Sequence, residues 1–331
     1  MTKSYARIAG WANYLPPRVL TNADLARMVE TSEEWILTRS GIQSRHIAGP
    51  EETTSTMAAE TARRALAMAN TESAEVDLII LATGTPDHPG YPATASLVQN
   101  QIGAKNAAAF DLVAGCSGWL YGLTIASQFV QAGVYRNILV LASETLSRFT
   151  DWKDRTTCVL FGDAAGGVLV QPSDKPGGLL SSGLGSDGSG GGLLTIAAGG
   201  SRLPTSRETV EARQHYITMN GPEIFRWAVK TVPGAVADTL AKAGLTVADV
   251  DVLIPHQANL RIIDVVRKRL GMREEQVFVN IQHCANTSVA TIPVALSEAA
   301  DTGVIKPGHT VCLSAFGAGL TWATIAWKWN F

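Results

Sequence analysis

One segment of the chain occurs twice, and this repeat determines the predicted fold. The first copy is Leu66-Ala-Met-Ala-Asn-Thr-Glu-Ser-Ala-Glu-Val-Asp-Leu-Ile-Ile80, and the second, 174 residues later, is Leu240-Ala-Lys-Ala-Gly-Leu-Thr-Val-Ala-Asp-Val-Asp-Val-Leu-Ile254. Seven of the fifteen aligned positions are identical. Each copy has the pattern of a helix end, a short loop and a buried strand. Similar pairs at 108–113 with 277–281, and at 137–143 with 309–315, indicate that both halves of the chain contain one folding unit.

The repeated unit alternates apolar strands with helices. Near-continuous apolar strands separated by helical segments predict sheets with helices on both faces, which is an α/β fold. We expect an N-terminal half over residues 1–172 and a C-terminal half over 173–331, with an active site where they meet, near strand carboxyl ends. The predicted strands are Arg7–Trp11, Leu78–Thr83, Ala108–Val113, Ile138–Ala142, Cys158–Phe161, Gly167–Val170, Val252–Pro255, Val277–Ile281, Thr310–Ser314 and Thr324–Lys328.

The segment 177–213 interrupts this alternation. It is rich in Gly and Ser, which predicts a long surface excursion between the halves. Within it, Gly183-Leu-Gly-Ser-Asp-Gly188 matches the GxGxxG pattern of dinucleotide-binding turns, but Gly190-Gly-Gly192 follows in place of a helix. Because such a turn needs a helix N-terminus to hold phosphate, we predict a flexible loop.

The composition argues against several classes of protein. The chain has 331 residues, of which 46% are hydrophobic and 17% charged, so it can bury a large core and is not disordered. Its net charge of −2 argues against a broad nucleic-acid-binding face. The four cysteines form no CxxC pair, so neither a zinc site nor a disulfide framework is indicated. With no signal-peptide pattern and no apolar run of about 18 residues, we expect a soluble cytoplasmic protein that does not enter a membrane.

Cys116 is the strongest single candidate for a catalytic residue. It lies in Phe110-Asp-Leu-Val-Ala-Gly-Cys-Ser-Gly-Trp-Leu-Tyr-Gly-Leu123, where a strand is followed, after Gly115, by a predicted helix from Ser117 to Gln131. Free N–H groups and the positive dipole end at a helix N-terminus favour the thiolate. A thiolate is a nucleophile, and the same N–H groups can hold an oxyanion. A buried structural cysteine is the alternative interpretation.

Two polar residues of the second half also follow predicted strands. His256 comes just after the strand in Leu253-Ile-Pro-His-Gln-Ala-Asn259, and Asn286 lies between a strand and the predicted helix 288–299. Through the duplication, Asn286 falls near the position that Cys116 has in the first half. Either residue alone is commonly a loop hydrogen-bond partner or a helix N-cap. Their related placement predicts one pocket that contains a thiol, an imidazole and a carboxamide.

Two glycine-containing segments remain. Ala315-Phe-Gly-Ala-Gly-Leu-Thr-Trp322 follows a strand and has glycines where a backbone N–H could approach a ligand closely, although a tight hairpin turn would have the same pattern. Gly162-Asp-Ala-Ala-Gly166 is interpreted as a structural turn between two core strands.

Several of these segments together resemble a known family. They are Thr21-Asn-Ala-Asp-Leu25, Thr31-Ser-Glu-Glu-Trp-Ile36, Arg39-Ser-Gly-Ile42, Phe161-Gly-Asp-Ala-Ala165, Pro255-His-Gln-Ala-Asn-Leu-Arg-Ile-Ile263, Asn286-Thr-Ser288 and Ala315-Phe-Gly-Ala-Gly319. The chain resembles beta-ketoacyl-[acyl-carrier-protein] synthase III of the thiolase-like superfamily nearly from end to end. The resemblance implies a five-layered α-β-α-β-α arrangement of the two halves and a homodimer.

The resemblance also implies a reaction. Cys116 would take an acyl group from acyl-CoA, and N–H groups of Cys116 and of the Ala318–Gly319 turn would stabilise the oxyanion. His256 and Asn286 would then hydrogen-bond the thioester carbonyl of malonyl-acyl carrier protein. Loss of carbon dioxide would leave an enolate that attacks the acyl-Cys. The product would be 3-ketoacyl-acyl carrier protein, which initiates type II fatty acid synthesis, and no metal or redox cofactor is implied.

Substrate contacts follow from the same resemblance. Those for acyl-CoA are Thr31, Trp35, Arg39, Arg155 and Asn259, with Trp35 against the adenine and arginines suited to phosphate. Thr31 also has capping-box spacing to Glu34.

The helix after His256 is the candidate docking site for the carrier protein. Its basic residues include Arg261, Arg267 and Lys268, and acyl carrier proteins are acidic. Tyr91 lies in a segment that, in the family, crosses a dimer interface to form the floor of the acyl pocket. Ser117 and Ala285 stand where many relatives have Ala and Gly, respectively.

Other functions stay open at this point. The order and spacing of Cys116, His256 and Asn286 are also those of papain-like cysteine hydrolases, although no Cys-Gly-Ser-Cys-Trp segment occurs. A relative within the family could prime a polyketide or transfer its acyl group to an amine or alcohol. A non-catalytic binding subunit with the same fold is the third alternative.

Overall fold

The computed structural model describes residues 5–331 and contains two main β-sheets with helices between and around them. Its strands are β1 Tyr5–Tyr14, β2 Val19–Thr21, β3 Ser44–His46, β4 Leu78–Ala82, β5 Ala108–Leu112, β6 Ile138–Glu144, β7 Ala164–Ser173, β8 Gly178–Ser186, β9 Leu194–Ile196, β10 Ile217–Met219, β11 Val252–Pro255, β12 Thr310–Gly317 and β13 Thr321–Lys328. Its α-helices are α1 Asn22–Ala26, α2 Glu33–Ser40, α3 Thr54–Met68, α4 Thr94–Ile102, α5 Gly118–Gln131, α6 Arg207–Glu211, α7 Gly221–Lys242, α8 Leu260–Leu270, α9 Ile281–Cys284 and α10 Thr291–Asp301.

The two sheets repeat one topology, which confirms the duplication. The first has the order β1-β7-β6-β4-β5, and the second has the order β11-β12-β13-β8. In the first, β5, β4 and β6 are parallel while β7 and β1 are antiparallel to their neighbours. In the second, β11 and β12 are parallel while β13 and β8 are antiparallel to theirs. The repeated sequence therefore forms β4 and β11, and the pair 137–143 with 309–315 forms β6 and β12.

Helices form three layers around the two sheets. Helices α3 and α4 pack on one face of the first sheet, whereas α7 packs on the second sheet with α8 beside it. Between the sheets lie α5 and α10, each in contact with strands of both. α5 is apolar around most of its circumference, as a helix between two sheets must be. The result is the predicted α-β-α-β-α arrangement.

Two predicted strands are not strands in the structure. In the predicted strand Cys158–Phe161, residues 158–160 form turns, with hydrogen bonds such as Cys158 N–H to Asp154 O and Leu160 N–H to Thr157 O, and Phe161 forms an isolated parallel bridge to Asn286. This apolar run is buried by side-chain clusters on the surrounding loops, so its composition does not require a sheet position. In the second segment, 277–281, only Val277 pairs with β11, through an isolated parallel bridge to Leu253. That bridge occupies the position that β5 has beside β4 in the first sheet.

The glycine-rich segment 177–213 is more ordered than predicted. Its first part is β8, the edge strand of the second sheet, and β9 and α6 follow. The GxGxxG match lies mostly within β8, so the flexible-loop prediction was wrong there. A Cβ at Gly183 would lie 2.6 Å from Thr239 Oγ1, and one at Gly185 would overlap the Trp322 ring. These glycines therefore allow α7 and β13 to pack closely against the strand.

Within residues 5–331, no helix combines the length and the apolar composition that a membrane crossing requires. The predicted boundary at residues 172 and 173 falls at the end of β7, which closes the first sheet before β8 begins the second.

Candidate active site

The loop that carries Cys116 joins β5 to α5. β5 ends at Leu112 and α5 begins at Gly118, one residue after the predicted helix start. Between them, Gly115 has a φ of +53°, a left-handed angle that glycine adopts without strain. The turn places Cys116 immediately before the first turn of α5.

A second backbone segment lies directly against this loop. A Cβ at Gly115 would lie 2.7 Å from the amide nitrogen of Ala318, and one at Gly317 would overlap the amide nitrogen of Cys116. Both positions therefore require glycine for the two backbones to approach so closely.

Hydroxyl groups hold these two segments together. Ser117 Oγ lies 2.8 Å from Thr321 Oγ1, and the Thr321 hydroxyl lies 2.8 Å from the carbonyl oxygen of Ala114. Ser117 thus links the Cys116 loop to the start of β13.

Burial determines the charge of the Cys116 thiol. It raises the pKa to about 11, although hydrogen bonds from the Ser288 hydroxyl and from the N–H groups of Cys116 and Ala318 act in the opposite direction. This rise in the pKa opposes the thiolate that the helix N-terminus favours, so the thiolate stays a prediction. Desolvation outweighs the helix-end donors at this enclosed position.

The same two N–H groups define a candidate oxyanion site. Because the N–H groups of Cys116 and Ala318 both reach Sγ, they also flank a carbonyl carbon that Sγ would attack. Gly319, predicted together with Ala318, occupies the next position in the turn and has a φ of +141°.

His256 follows β11 and is held by Thr291. Burial lowers the pKa of the His256 imidazole to about 3, so the ring is neutral. Nδ1 lies 2.7 Å from Thr291 Oγ1, and that hydroxyl is within 3.0 Å of the carbonyl oxygen of Ser288. When the single hydroxyl proton is donated to Ser288 O, Nδ1 carries the imidazole hydrogen and Nε2 has the lone pair.

Asn286 is held by its backbone and by Ser288. Its N–H donates to Leu160 O, and its carbonyl accepts from Gly162 N–H, each at 3.0 Å. Its Oδ1 accepts a 2.9 Å hydrogen bond from Ser288 N–H, which identifies the oxygen end of the carboxamide and leaves Nδ2 as a donor. Ala285 has φ 59° and ψ −162°, a backbone region that favours glycine.

One cavity of about 610 Å³ is lined by Cys116, His256 and Asn286. The structure therefore brings together the three residues that the sequence analysis proposed for chemistry. They come from different elements: the β5–α5 loop, the end of β11 and the loop before α10. Phe316 packs edge-to-face on His256, with the ring centroids 5.5 Å apart, and forms an apolar wall beside the polar groups.

Two further predicted residues, Arg39 and Arg155, lie beside Trp35, which was also predicted. The guanidinium carbons of Arg39 and Arg155 lie 5.6 Å and 5.3 Å from the centroid of the Trp35 ring. Trp35 and Arg39 line the cavity. Arg155 donates a 2.9 Å hydrogen bond to Glu30 O, which positions it at the ring. An aromatic face and two cations thus lie together in the arrangement expected for a nucleotide with phosphates.

Asn259 connects α8 to α2. It caps α8 by accepting a 2.9 Å hydrogen bond from Arg261 N–H, and its Nδ2 donates to Arg39 O at 2.9 Å. The side chain also lines the cavity. Its two hydrogen bonds keep the Arg39 backbone close to the pocket.

Thr31 does not cap α2, so the capping-box prediction was wrong. Ser32 is the N-cap residue, and its hydroxyl accepts a 3.1 Å hydrogen bond from Trp35 N–H. The reason is that the helix begins one residue later than the Thr31–Glu34 spacing implies. Thr31 Oγ1 is instead buried without a hydrogen-bond partner.

Comparison with known proteins identifies the family. Residues 110–188 match the model of 3-Oxoacyl-[acyl-carrier-protein (ACP)] synthase III, and residues 240–329 match the model of its C-terminal part. A beta-ketoacyl-[acyl-carrier-protein] synthase III of Caldanaerobacter subterraneus subsp. tengcongensis is 52% identical over 328 residues, which cover 99% of each chain. The chain belongs to the synthase III family.

Solved structures of similar proteins agree. The 3-oxoacyl-[acyl-carrier-protein] synthase III of Aquifex aeolicus VF5 has a TM-score of 0.90 and 44% identity, over 98% of this chain and 99% of that chain. The priming beta-ketosynthase of the R1128 polyketide pathway has a TM-score of 0.92 and 37% identity, over 99% and 97%. As a synthase III, the chain is a condensing acyltransferase with a thiolase-like fold. The predicted family and enzyme class are confirmed, which sets aside the hydrolase and the non-catalytic subunit.

The basic residues of α8 in this synthase III differ in their ion pairs and in their distance from the cavity. Arg267 and Lys268 both pair with Asp264, at 2.8 Å and 2.6 Å. Arg261 lines the cavity, and its guanidinium lies 5.9 Å from the Phe225 ring centroid. Of the three predicted docking residues, Arg261 is therefore the one placed beside the site and not paired with Asp264.

Tyr91 lies away from the catalytic cavity of its own chain. It is 93% exposed, in the loop between β4 and α4. The cavity is lined by other residues, so any part that Tyr91 has in an acyl pocket requires a second copy of the chain.

Three residues near the cavity were missed by the sequence analysis as functional residues. They are Glu144, Ser288 and Thr291. A signal existed for Glu144, because it is a carboxylate at the end of the apolar run that forms β6, the same kind of position that singled out His256. Ser288 lies in a motif that was noted, but its φ of +50° and its contacts with the site could not be inferred from the sequence.

One side-chain group outside the cavity has the donor types of a metal site. His283 Nε2, Cys284 Sγ and a Glu298 oxygen lie within 4.8 Å of one another. Glu298 also accepts a 2.9 Å hydrogen bond from Asn280 Nδ2 and lies 3.3 Å from His283 Nε2. These hydrogen bonds explain why the three side chains lie together: they form a polar contact between α9 and α10.

Proposed function

We propose that Cys116 takes an acyl group from acyl-CoA and transfers it to malonyl-acyl carrier protein, with decarboxylation, to give 3-ketoacyl-acyl carrier protein. This reaction initiates fatty acid synthesis. The observation that carries the residue assignment is the single cavity lined by Cys116, His256 and Asn286. Each of the three is held there by contacts from separate elements, as a preorganised site requires.

In the first half-reaction, acyl-CoA enters past Trp35. The adenine would stack on the indole, and Arg39 and Arg155 would contact phosphate oxygens. Cys116 Sγ gives up its proton as it attacks the thioester carbonyl carbon, the bond to the CoA sulfur breaks, and CoA leaves as a thiolate that takes up one proton in turn, so that no net proton is gained or lost. The N–H groups of Cys116 and Ala318 stabilise the oxyanion that forms between these events.

In the second half-reaction, the malonyl thioester carbonyl lies against His256 and Asn286. Asn286 Nδ2 is available as a donor because Oδ1 is bound to Ser288 N–H. For His256 to donate from Nε2, the Thr291 hydroxyl must turn and donate to Nδ1. Ser288 O keeps a donor after that rotation, because it also accepts from Thr291 N–H. The two donors stabilise the enolate that remains when carbon dioxide leaves.

The acidic carrier protein would dock beside Arg261. Arg261 lies at the start of α8 and lines the cavity that contains the nucleophile. Arg267 and Lys268, whose charges are partly compensated by Asp264, extend this face along the helix. Electrostatic attraction between this basic face and the acidic carrier protein, which salt weakens, would speed the binding of the carrier and have less effect on the binding of acyl-CoA.

The proposal includes a homodimer through the edge of the first sheet. β5 is the last strand of that sheet, and Phe110 and Val113 at this edge are 37% and 78% exposed. β5 pairs with β4 on one side only, so a second copy can cover this exposed apolar edge by continuing the sheet. The predicted cytoplasmic location and the absence of a resident cofactor stay part of the proposal.

A panel of CoA thioesters tests the proposed function. The protein is incubated with acetyl-, branched and longer acyl-CoA, and intact mass is recorded before and after malonyl-acyl carrier protein is added. We expect an acyl adduct that disappears as a 3-ketoacyl-carrier product forms. Acyl transfer to another acceptor without decarboxylation would contradict the proposal. The preferred acyl group identifies the primer, for which the polyketide-priming relative is a second model.

A further inference from the structure

Glu144 is a buried carboxylate close to the nucleophile. It ends β6, is 1% exposed, and accepts hydrogen bonds from Thr85 Oγ1 at 2.5 Å, from Thr83 Oγ1 at 3.4 Å and from Gly84 N–H at 3.2 Å. All these donors are neutral. Burying a carboxylate among neutral donors is energetically unfavourable, so a glutamate at this position suggests a function beyond packing.

Ser288 connects Glu144 to Cys116. Its hydroxyl lies 3.4 Å from Cys116 Sγ, and the turn that carries it packs against β6, where the hydroxyl lowers the pKa of the Glu144 carboxyl group. Ser288 holds this position at a φ of +50°, a left-handed angle that is strained for a non-glycine residue. The order of groups is therefore thiol, hydroxyl and carboxylate.

We propose that Ser288 and Glu144 form a proton relay, in which Glu144 holds the thiol proton for as long as Cys116 carries the acyl group. The inference rests on the proposed function. As Sγ bonds to the thioester carbon, its proton passes to Ser288 Oγ, and the hydroxyl proton of Ser288 passes to Glu144. When the enolate attacks the acyl-Cys, the carbon–sulfur bond breaks and the Cys116 thiolate recovers its proton from Glu144 by the same route.

The electrostatics of the site suit this role. Burial raises the pKa of Glu144 to about 7, against the hydrogen bonds from Thr85 and Ser288, so its proton affinity is balanced near neutral pH. His256, the other potential base, has a pKa lowered to about 3 by burial. Within residues 5–331, the side-chain hydrogen-bond partner of Cys116 Sγ is the Ser288 hydroxyl and not the imidazole.

Among the groups around Glu144, the one that titrates together with it is the Cys116 thiol. From β4 and its loop come uncharged Thr83, Gly84 and Thr85. From the turn before α10 comes Ser288, and from the β5–α5 loop comes the titratable Cys116. In the sheet, β7 places uncharged Ala164 beside Glu144, and the carboxyl group of Asp163, which precedes β7, is bound by Ala48 N–H and by Ser147. Because the Cys116 thiol and the Glu144 carboxyl group interact, the two apparent pKa values that a titration measures describe the pair and not either residue alone.

Two measurements as a function of pH test the relay. Single-turnover acylation of Cys116 by acyl-CoA is followed by rapid quench and intact mass, and alkylation of Cys116 by iodoacetamide reports thiolate formation without any acyl substrate. In the wild-type protein, both rates should rise as pH passes through about 7, where Glu144 ionises. Glu144→Gln and Ser288→Ala should lose this rise and acylate about 10²-fold more slowly at neutral pH. The double variant should be no slower than either single one, because the relay acts as a unit.

Asp163→Asn is the matched control, since it neutralises a buried carboxyl group that has no contact with Cys116. Its pH profiles should be those of the wild type. Unchanged profiles in both Glu144→Gln and Ser288→Ala would assign the proton to His256 and overturn the relay. If Glu144→Gln does not fold, Ser288→Ala decides alone. A wild-type protein that acyl-CoA does not acylate, but whose alkylation keeps the rise that depends on Glu144, would refute the function and leave the relay intact.

Discussion

Replacing Thr291 with valine should separate the two half-reactions. Valine has nearly the shape of threonine but cannot bond to His256 Nδ1, which lies 2.7 Å from the hydroxyl. Both side chains are buried, with His256 3% and Thr291 2% exposed, so water cannot replace the lost partner. Ser288 O, the other partner of the hydroxyl, keeps its hydrogen bond from Thr291 N–H. The change therefore acts on the imidazole alone.

The magnitude follows from the single buried contact that is lost. Leaving a buried N–H or ring nitrogen without a partner costs about 1–3 kcal/mol. At about 1.4 kcal/mol for each factor of ten, the step that depends on an oriented His256 should slow roughly 5- to 150-fold. Acylation of Cys116 does not use the imidazole in our account and should change little.

The assay measures each step separately. The protein is first acylated by acyl-CoA, the CoA is removed, and malonyl-acyl carrier protein is added in a second mixing step with rapid quench. Thr291→Ser, which restores the hydroxyl, is the control and should recover most of the condensation rate. The reasoning would be refuted if Thr291→Val slowed acylation as much as condensation, or if Thr291→Ser were as slow as valine, since lost packing would then explain the effect.

Three further predictions concern the backbone and the docking face. Gly317→Ala should abolish acylation, because its methyl group would overlap the amide nitrogen of Cys116. Gly188→Ala, whose methyl group meets open space, should be fully active, and equal activities of the two variants would contradict the close approach of the 317 and 116 backbones. In thermal or denaturant unfolding, Ala285→Gly should lower the free energy of unfolding by about 2 kcal/mol less than Ala295→Gly in α10, because glycine relieves the strained backbone at position 285. Equal losses of stability in the two variants would exclude that strain. Arg261→Glu should lose turnover with carrier-bound malonate and keep acylation by acyl-CoA, as measured by intact mass; loss of both would disprove a docking role.

Much of the fold could be predicted because the repeat is visible in the sequence. Apolar runs between helices predicted β4, β6, β11 and β12, and the offset between copies paired them correctly. The prediction failed at 158–160, where an apolar run is buried by loops through local turns. It also failed in β8, whose glycines serve close packing against Trp322, a requirement that composition does not distinguish from flexibility.

The residues of the site could be predicted where a polar side chain ends an apolar strand. This pattern led to Cys116, His256 and Asn286, which the structure places around one cavity. The ionisation state of Cys116 could not be predicted in this way, because desolvation depends on packing from both halves. The contacts of Ser288 depend on a backbone angle that serine rarely adopts, so no pattern in the sequence indicates them.

The most direct measurement follows one acyl group through the protein. After treatment with acyl-CoA, peptide mapping should place the adduct on Cys116, and malonyl-acyl carrier protein labelled in its free carboxyl group is then added. We predict that loss of the adduct, release of labelled carbon dioxide and formation of 3-ketoacyl-carrier product occur in equal amounts. An adduct on Cys158, Cys284 or Cys312, or its release as free acid without labelled carbon dioxide, would contradict the account.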